Sequence, residues 1–236
     1  MNKIIILNHN QNSSKSASFF ALNLASNIVN NSKKVLVFST ILSPQYFSEL
    51  KPEMIISKST KQIPPFKIYR YKHKLNILLF GADTNQNIKI KSINEVLRIL
   101  KRQLELIQTN YDYLIIDLKN QWTALDNYFI DDTNISFINY LEYEENVKFS
   151  LVENFNYFKT KHNINIFNYP FAISNYNGID KNCLNLYNSL RTQWNVNELY
   201  CFNEPFSSYV NYVRQKPWSK SSITLDSLVK KVLLNS

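Results

Sequence analysis

Residues 3–28 read "KIIILNHNQNSSKSASFFALNLASNI", and the way this stretch folds decides how the rest of the chain is read. After Lys3 the residues Ile4 to Leu7 form a continuous apolar run, which suits a strand buried on both faces. Further on, Ala17, Phe20, Ala21, Leu24, Ala25 and Ile28 recur at helical spacing and form one apolar stripe. Between strand and helix lies a polar turn that contains Lys15 and Ser16 but no glycine. A lysine in the first turn of a helix opposes the helix dipole, so a nearby anion or carboxylate would account for it.

The same alternation continues along the chain. "KVLVF" (34–38), "LNILLF" (75–80), "YDYLIID" (111–117), "NISFINY" (134–140), "PFAIS" (170–174) and "NELYCF" (197–202) have strand character. Helical periodicity fills most of the gaps: Ile93, Val96, Leu97, Leu100, Leu104 and Ile107 form a second stripe, and further helices are expected near 146–160, 180–192, 206–214 and 222–234. Apolar strands alternating with helices predict an α/β fold, doubly wound, with a mostly parallel sheet and helices on both faces. With 236 residues, no internal repeat and no Gly/Ser-rich linker, the chain is expected to form a single domain over 1–236.

Composition narrows the function classes. No apolar run reaches the roughly 18 to 20 residues of a membrane span, and the first residues turn polar too soon for a secretory signal, so a soluble cytoplasmic protein is expected. Cys183 and Cys201 lack metal-site or disulfide-framework spacing and are read as buried thiols, and His9, His73 and His162 share no ligand spacing. The formal charge of +9 is uneven: residues 1–110 hold 16 Lys/Arg against 5 Asp/Glu, while the remainder hold 11 against 13. Within "FKIYRYKHK" (66–74), Lys67, Arg70, Lys72 and Lys74 alternate with aromatic residues. That pattern fits either a surface for DNA or anionic membrane, or a solvated edge strand guarded by charge.

Taken in order, "IIILNHNQNSSKSASFFALNLASNI", "KKVLVF", "YDYLIID" and "FNEPFSSYVNYVRQKPW" resemble the MinD/ParA family of deviant Walker A P-loop ATPases over nearly the whole chain. "ALNLA" (21–25) matches the family's A-x-N-L-A helix, and the segment from Pro205 to Pro217 matches a late family motif, with Gln215 in place of glycine. Within the family the chain most resembles the TadZ/CpaE pilus-assembly branch, whose phosphate loop is often degenerate.

The resemblance implies a nucleotide site at Asn10, Gln11, Asn12, Ser13, Ser14, Lys15, Ser16, Asp117, Asn175 and Pro205, for ATP or ADP with Mg²⁺. Ser16 and Asp117 would be the metal-side residues, and Phe206 would join Pro205 in covering the base. Most of the chemistry has been replaced. Asn10 stands at the signature lysine, Gln11, Asn12 and Ser14 stand at glycines, and Ser39 follows the second strand where the family uses an aspartate. The glycines matter because the loop turns its N–H groups toward phosphate, which requires positive φ and no side chain in the way. Phosphoryl transfer depends on positioned charge, and Asn10 supplies none.

Three readings of the loop stay open: a vestigial loop closed by a Lys15–Asp117 ion pair, weak nucleotide or phosphate binding, and hydrolysis. The leading functional expectation is a non-catalytic localisation or assembly factor of pilus or secretion machinery. It would be dimeric, with protein partners in a membrane-associated assembly, cytoplasmic or peripheral at the inner membrane or cell pole. A ParA-like partition protein binding DNA without sequence preference, or a weakly active ATPase, are the alternatives. "LDSLVKKVLLNS" (225–236) resembles the membrane-targeting helix of MinD, although packing of its apolar stripe on the sheet is the favoured reading.

Overall fold

The computed structural model describes residues 1–10, 14–39, 53–54, 66–72, 74–80, 93–118, 124–130, 135–144, 146–203, 206 and 220–234. Nine strands form one sheet: β1 (Asn2–Asn8), β2 (Val35–Ser39), β3 (Glu53–Met54), β4 (Phe66–Lys72), β5 (Leu75–Phe80), β6 (Tyr113–Asp117), β7 (Ile135–Glu142), β8 (Phe171–Ser174) and β9 (Leu199–Cys201). Their order is β3-β4-β5-β2-β6-β1-β7-β8-β9. The seven strands from β5 to β9 run parallel, and β4 and β3 add an antiparallel extension beyond β5. The described helices are α1 (Ser14–Asn30), α2 (Ile93–Ile107), α3 (Ala124–Ile130), α4 (Val147–His162), α5 (Lys181–Thr192) and α6 (Lys220–Leu234).

Because side chains alternate along a strand, the apolar runs must be covered on both faces. Ile4 and Ile6 of β1 enter a core with the α1 stripe and with Leu225, Leu228, Val229 and Val232 of α6. Ile5 and Leu7 enter the opposite core with residues of α2, α3, α4 and α5. All six stripe residues of α1 are fully buried. The apolar stripe of α6 is likewise spent inside the fold, as the packed-helix expectation holds. No described helix is long and apolar enough to cross a membrane.

Two expectations change and one element was not foreseen. The basic run 66–74 is not the sheet edge, because Glu53 and Met54 pair outside Arg70 and Tyr69. Ile68 of β4 is buried, and Lys74, at φ 66°, makes the turn into β5. Helix α3 was not legible from periodicity, since its seven residues are too few to repeat a stripe. Finally, Cys183 is buried as expected, whereas Cys201 on the terminal strand β9 is only half-buried. The helix expected near 206–214 lies outside the described residues beyond Phe206.

Candidate functional site

The carboxyl ends of β1, β2, β6 and β7 converge where α1 begins, and Asn10 sits there, buried. Its side chain is tied to the end of β7. Asn10 Oδ1 accepts from the Glu142 N–H at 2.7 Å, and Asn10 Nδ2 donates to the Glu142 carbonyl at 2.7 Å and to Glu144 Oε1 at 2.8 Å. Just before it, the His9 N–H donates to the Tyr140 carbonyl at 2.9 Å. The carboxamide therefore acts as one more peptide group and continues the β1–β7 ladder past the end of the strand. Its own N–H donates to Asn8 Oδ1 at 3.1 Å. The Asn10 side chain thus faces its own fold with both amide hydrogens and the amide oxygen engaged.

Asp117 ends β6 and is fully buried. Ser18 Oγ on α1 donates to its Oδ2 at 2.5 Å and Ser39 Oγ at the end of β2 donates to the same oxygen at 2.9 Å. Among the described residues Oδ1 has no hydrogen-bond partner. Burial pushes the Asp117 carboxyl up to about 7, and the two hydroxyls only partly offset it. Ser39, expected where the family places an aspartate, instead donates a hydrogen bond to Asp117. Ser16 Oγ is hydrogen-bonded to Tyr140 OH, which also reaches Ser174 Oγ at 2.7 Å. Phe20 stacks on the Tyr140 ring with centroids 5.0 Å apart, holding the phenol beneath α1.

Of the remaining expected residues, Gln11, Asn12, Ser13 and Pro205 lie outside the described residues, as do the side chains of Ser14, Lys15, Lys67, Arg70 and Lys72. The expected Lys15–Asp117 pair falls among these; what is described around Asp117 is two serine hydroxyls. Asn175 follows β8 in the left-handed region at φ 56° and is exposed, a conformation asparagine tolerates at turns. Phe206 does not stand free to cover a base, because its ring is fully buried against Phe20, Tyr140 and Phe202.

Three described residues of the expected nucleotide site are engaged inside the fold. The Ser16 hydroxyl is hydrogen-bonded to Tyr140, the Asn10 carboxamide to Glu142 and Glu144, and the Asp117 carboxyl, raised by burial, to Ser18 and Ser39. Among the described residues no three His, Cys, Asp or Glu side chains group as a metal site.

Sequence reading missed a polar network on the other side of β1. His9 is buried, with Nε2 against Asn139 Oδ1 at 2.8 Å and Nδ1 against Asn154 Nδ2 at 3.0 Å. Asn139 Nδ2 donates to the Ile166 carbonyl at 2.8 Å, so its oxygen faces the ring. This arrangement assigns the neutral tautomer with the proton on Nε2. Burial lowers His9 to about 4. The signal available in sequence was Asn139 inside the largely apolar run "FINYL" (137–141), since a buried polar side chain needs partners.

No protein-family model matches the chain, and no curated protein is similar to it in sequence. Solved structures are similar in fold. The MinD cell division protein of Aquifex aeolicus, in its complex with MinC, aligns with TM-score 0.66 at 12% identity, covering 100% of this chain and 97% of that one. A putative plasmid partition protein from Borrelia burgdorferi B31, bound to AMPPNP, aligns with TM-score 0.63 at 16% identity, covering 100% and 99%. A ParA family ATPase from Chlorobium tepidum aligns with TM-score 0.62 at 11% identity, covering 97% of each chain. The fold is therefore that of the MinD/ParA P-loop ATPases.

Proposed function

We propose that this chain uses the MinD/ParA fold as a localisation or assembly factor of TadZ/CpaE type that does not turn over ATP and that associates without nucleotide. The observation that carries this reading is the commitment of Asn10 to Glu142 and Glu144. In the family the signature lysine reaches across to the nucleotide of the other subunit, so an active member needs a mobile cation there. Here a neutral carboxamide is built into the sheet. Ser16 and Asp117 support the same reading, since each already has partners inside the fold. ATP or ADP with Mg²⁺ is expected to form at most a weak complex.

The test is phosphate release measured beside isothermal titration with ATP and ADP, with and without Mg²⁺. Release at the level of a buffer blank, unchanged by Lys15→Ala, is expected. Turnover abolished by Lys15→Ala would overturn the reading. A second reading, non-specific DNA binding, is favoured by one observation: the first 110 residues carry 16 basic against 5 acidic side chains. Duplex binding that weakens steeply with salt would establish it.

A further inference from the structure

The backbone of β9 is satisfied on one side only. The Glu198 carbonyl accepts from the Phe171 N–H at 2.9 Å, the Phe202 N–H donates to the Ile173 carbonyl at 2.8 Å, and Tyr200 lies between them opposite Ala172. The N–H and C=O of one strand residue point to the same side, and those of the next residue to the other, so Leu199 and Cys201 turn theirs away from β8. Among the described strands β9 pairs with β8 alone and ends the sheet. Such an edge is a row of donors and acceptors that another strand can complete.

That edge opens into a groove of about 450 Å³ bounded by residues of α5 and α6. Leu199 and Cys201 pack toward the α5 side, where Tyr176 and Tyr187 have ring centroids 5.7 Å apart. Tyr200 packs toward the α6 side, where Ile223 is 54% exposed. The groove therefore has a wall on each face of the sheet, as an added strand with alternating side chains requires. No Lys, Arg, Asp or Glu lines it, although the chain carries a formal charge of +9. Glu198 and Lys231, at the amino end of β9, pair with each other at 2.8 Å. The opposite extension of the sheet is guarded by charge, with Lys67, Arg70 and Lys72 in β4 and Glu53 in β3. In contrast, β9 reads Leu-Tyr-Cys and has no charge, proline or bulge.

We propose that the β9 edge takes up an extended, uncharged segment of a partner protein as a further strand of the sheet. The backbone groups of Leu199 and Cys201 hold its main chain. Its apolar or aromatic side chains alternate between the tyrosines on the α5 side and Tyr200 with Ile223 on the α6 side. Charge selects the class of occupant, since DNA and anionic lipid call for a basic surface and this groove is neutral. The outward N–H and C=O groups select a polypeptide, because they recur at strand spacing. The inference rests on the assembly-factor reading, which requires a protein partner, and it makes no use of the nucleotide site.

The experiment selects displayed peptides about six residues long, the length of an ordinary strand, on the full chain. Enriched peptides are then synthesised with a fluorescent label and titrated by anisotropy. They are expected to carry uncharged apolar or aromatic residues at alternate positions, and to lose binding when their central amides are N-methylated. Ile223→Asp puts a charge on one wall of the groove, and Leu199→Pro removes an outward N–H that the β8–β9 ladder does not use, a change edge strands tolerate. Each should weaken binding about tenfold or more. Thermal unfolding of Ile223→Asp should stay close to that of the parent, because the side chain is half exposed. If Leu199→Pro does not fold, Ile223→Asp and the N-methylated peptides decide. The proposal is overturned if no peptide enriches, if the enriched peptides are charged, or if Ile223→Asp binds them as the parent does. Sedimentation of the parent tests the other occupant: a dimer that Ile223→Asp abolishes assigns the edge to a second copy and overturns the peptide reading. Phosphate release by the parent would sink the non-catalytic reading and leave peptide binding at β9 standing.

Discussion

Replacing Asn10 by alanine should be one of the more costly single substitutions in this chain, although residues 8–18 are among its most polar. Three hydrogen bonds of 2.7, 2.7 and 2.8 Å disappear together. Two of them satisfy the N–H and carbonyl of Glu142, and the third ends on the Glu144 carboxylate. A neutral hydrogen bond contributes about 0.5–1.5 kcal/mol net and one to a charged group about 1.5–3. The contacts are only partly buried, so water recovers some of this, and a net loss of about 2–4 kcal/mol is expected. For a chain of this size that corresponds to a fall in Tm of roughly 5–15 °C.

Urea unfolding followed by circular dichroism measures the loss directly. The midpoint should fall with the slope unchanged, since the surface exposed on unfolding stays the same. Asn10→Asp is the informative companion. It keeps an acceptor for the Glu142 N–H but removes both donors and places a second carboxylate beside Glu144, so it should be at least as destabilising as alanine at pH 8. An alanine variant within about 0.5 kcal/mol of the parent, the range of ordinary surface changes, would refute the ladder-extension reasoning.

Two pH predictions act in opposite directions. Asp117 is raised from 3.8 to about 7, so its contribution is fully present below about pH 4 and is lost as pH rises through 7, a change of about 4 kcal/mol. Asp117→Asn keeps an acceptor for Ser18 and Ser39 and should raise stability above pH 7. If a Lys15–Asp117 ion pair governed the site, the same variant would instead be destabilised there. His9 is lowered from 6.5 to about 4, so its contribution is present above pH 6.5 and is lost as pH falls through 4, a change of about 3 kcal/mol. The two terms largely cancel between pH 4 and 6.5 in the parent, so Asp117→Asn should uncover a stability that climbs with pH across that window; a profile still flat there would count against the buried neutral imidazole.

Hydrophobic periodicity was enough for the parallel part of the sheet and most of its helices. The run from Ile4 to Leu7 and the stripe from Ala17 to Ile28 could be satisfied only by burial on both faces of the strand and one face of the helix, and parallel order followed. Strand β4 and helix α3 were harder to read, because charge on the first and brevity of the second hide the period. The family resemblance drew attention to Asn10, Ser16 and Asp117, which a strand end and a helix start bring to one end of the sheet. It carried no information on where their polar atoms point.

That was decided by contacts across the sheet. Asn10 meets Glu142 from 132 positions away, Ser16 meets Tyr140 from 124, and Asp117 meets Ser18 from 99. Read from sequence alone, the Asn10 carboxamide stands for an expected lysine; with β7 placed beside β1 it becomes an added rung of the ladder. Local sequence sets which groups must be buried, because the hydrophobic effect is non-directional and depends on area. Hydrogen bonds are directional and pair residues far apart in the chain, so only the assembled tertiary structure fixes which partners satisfy them.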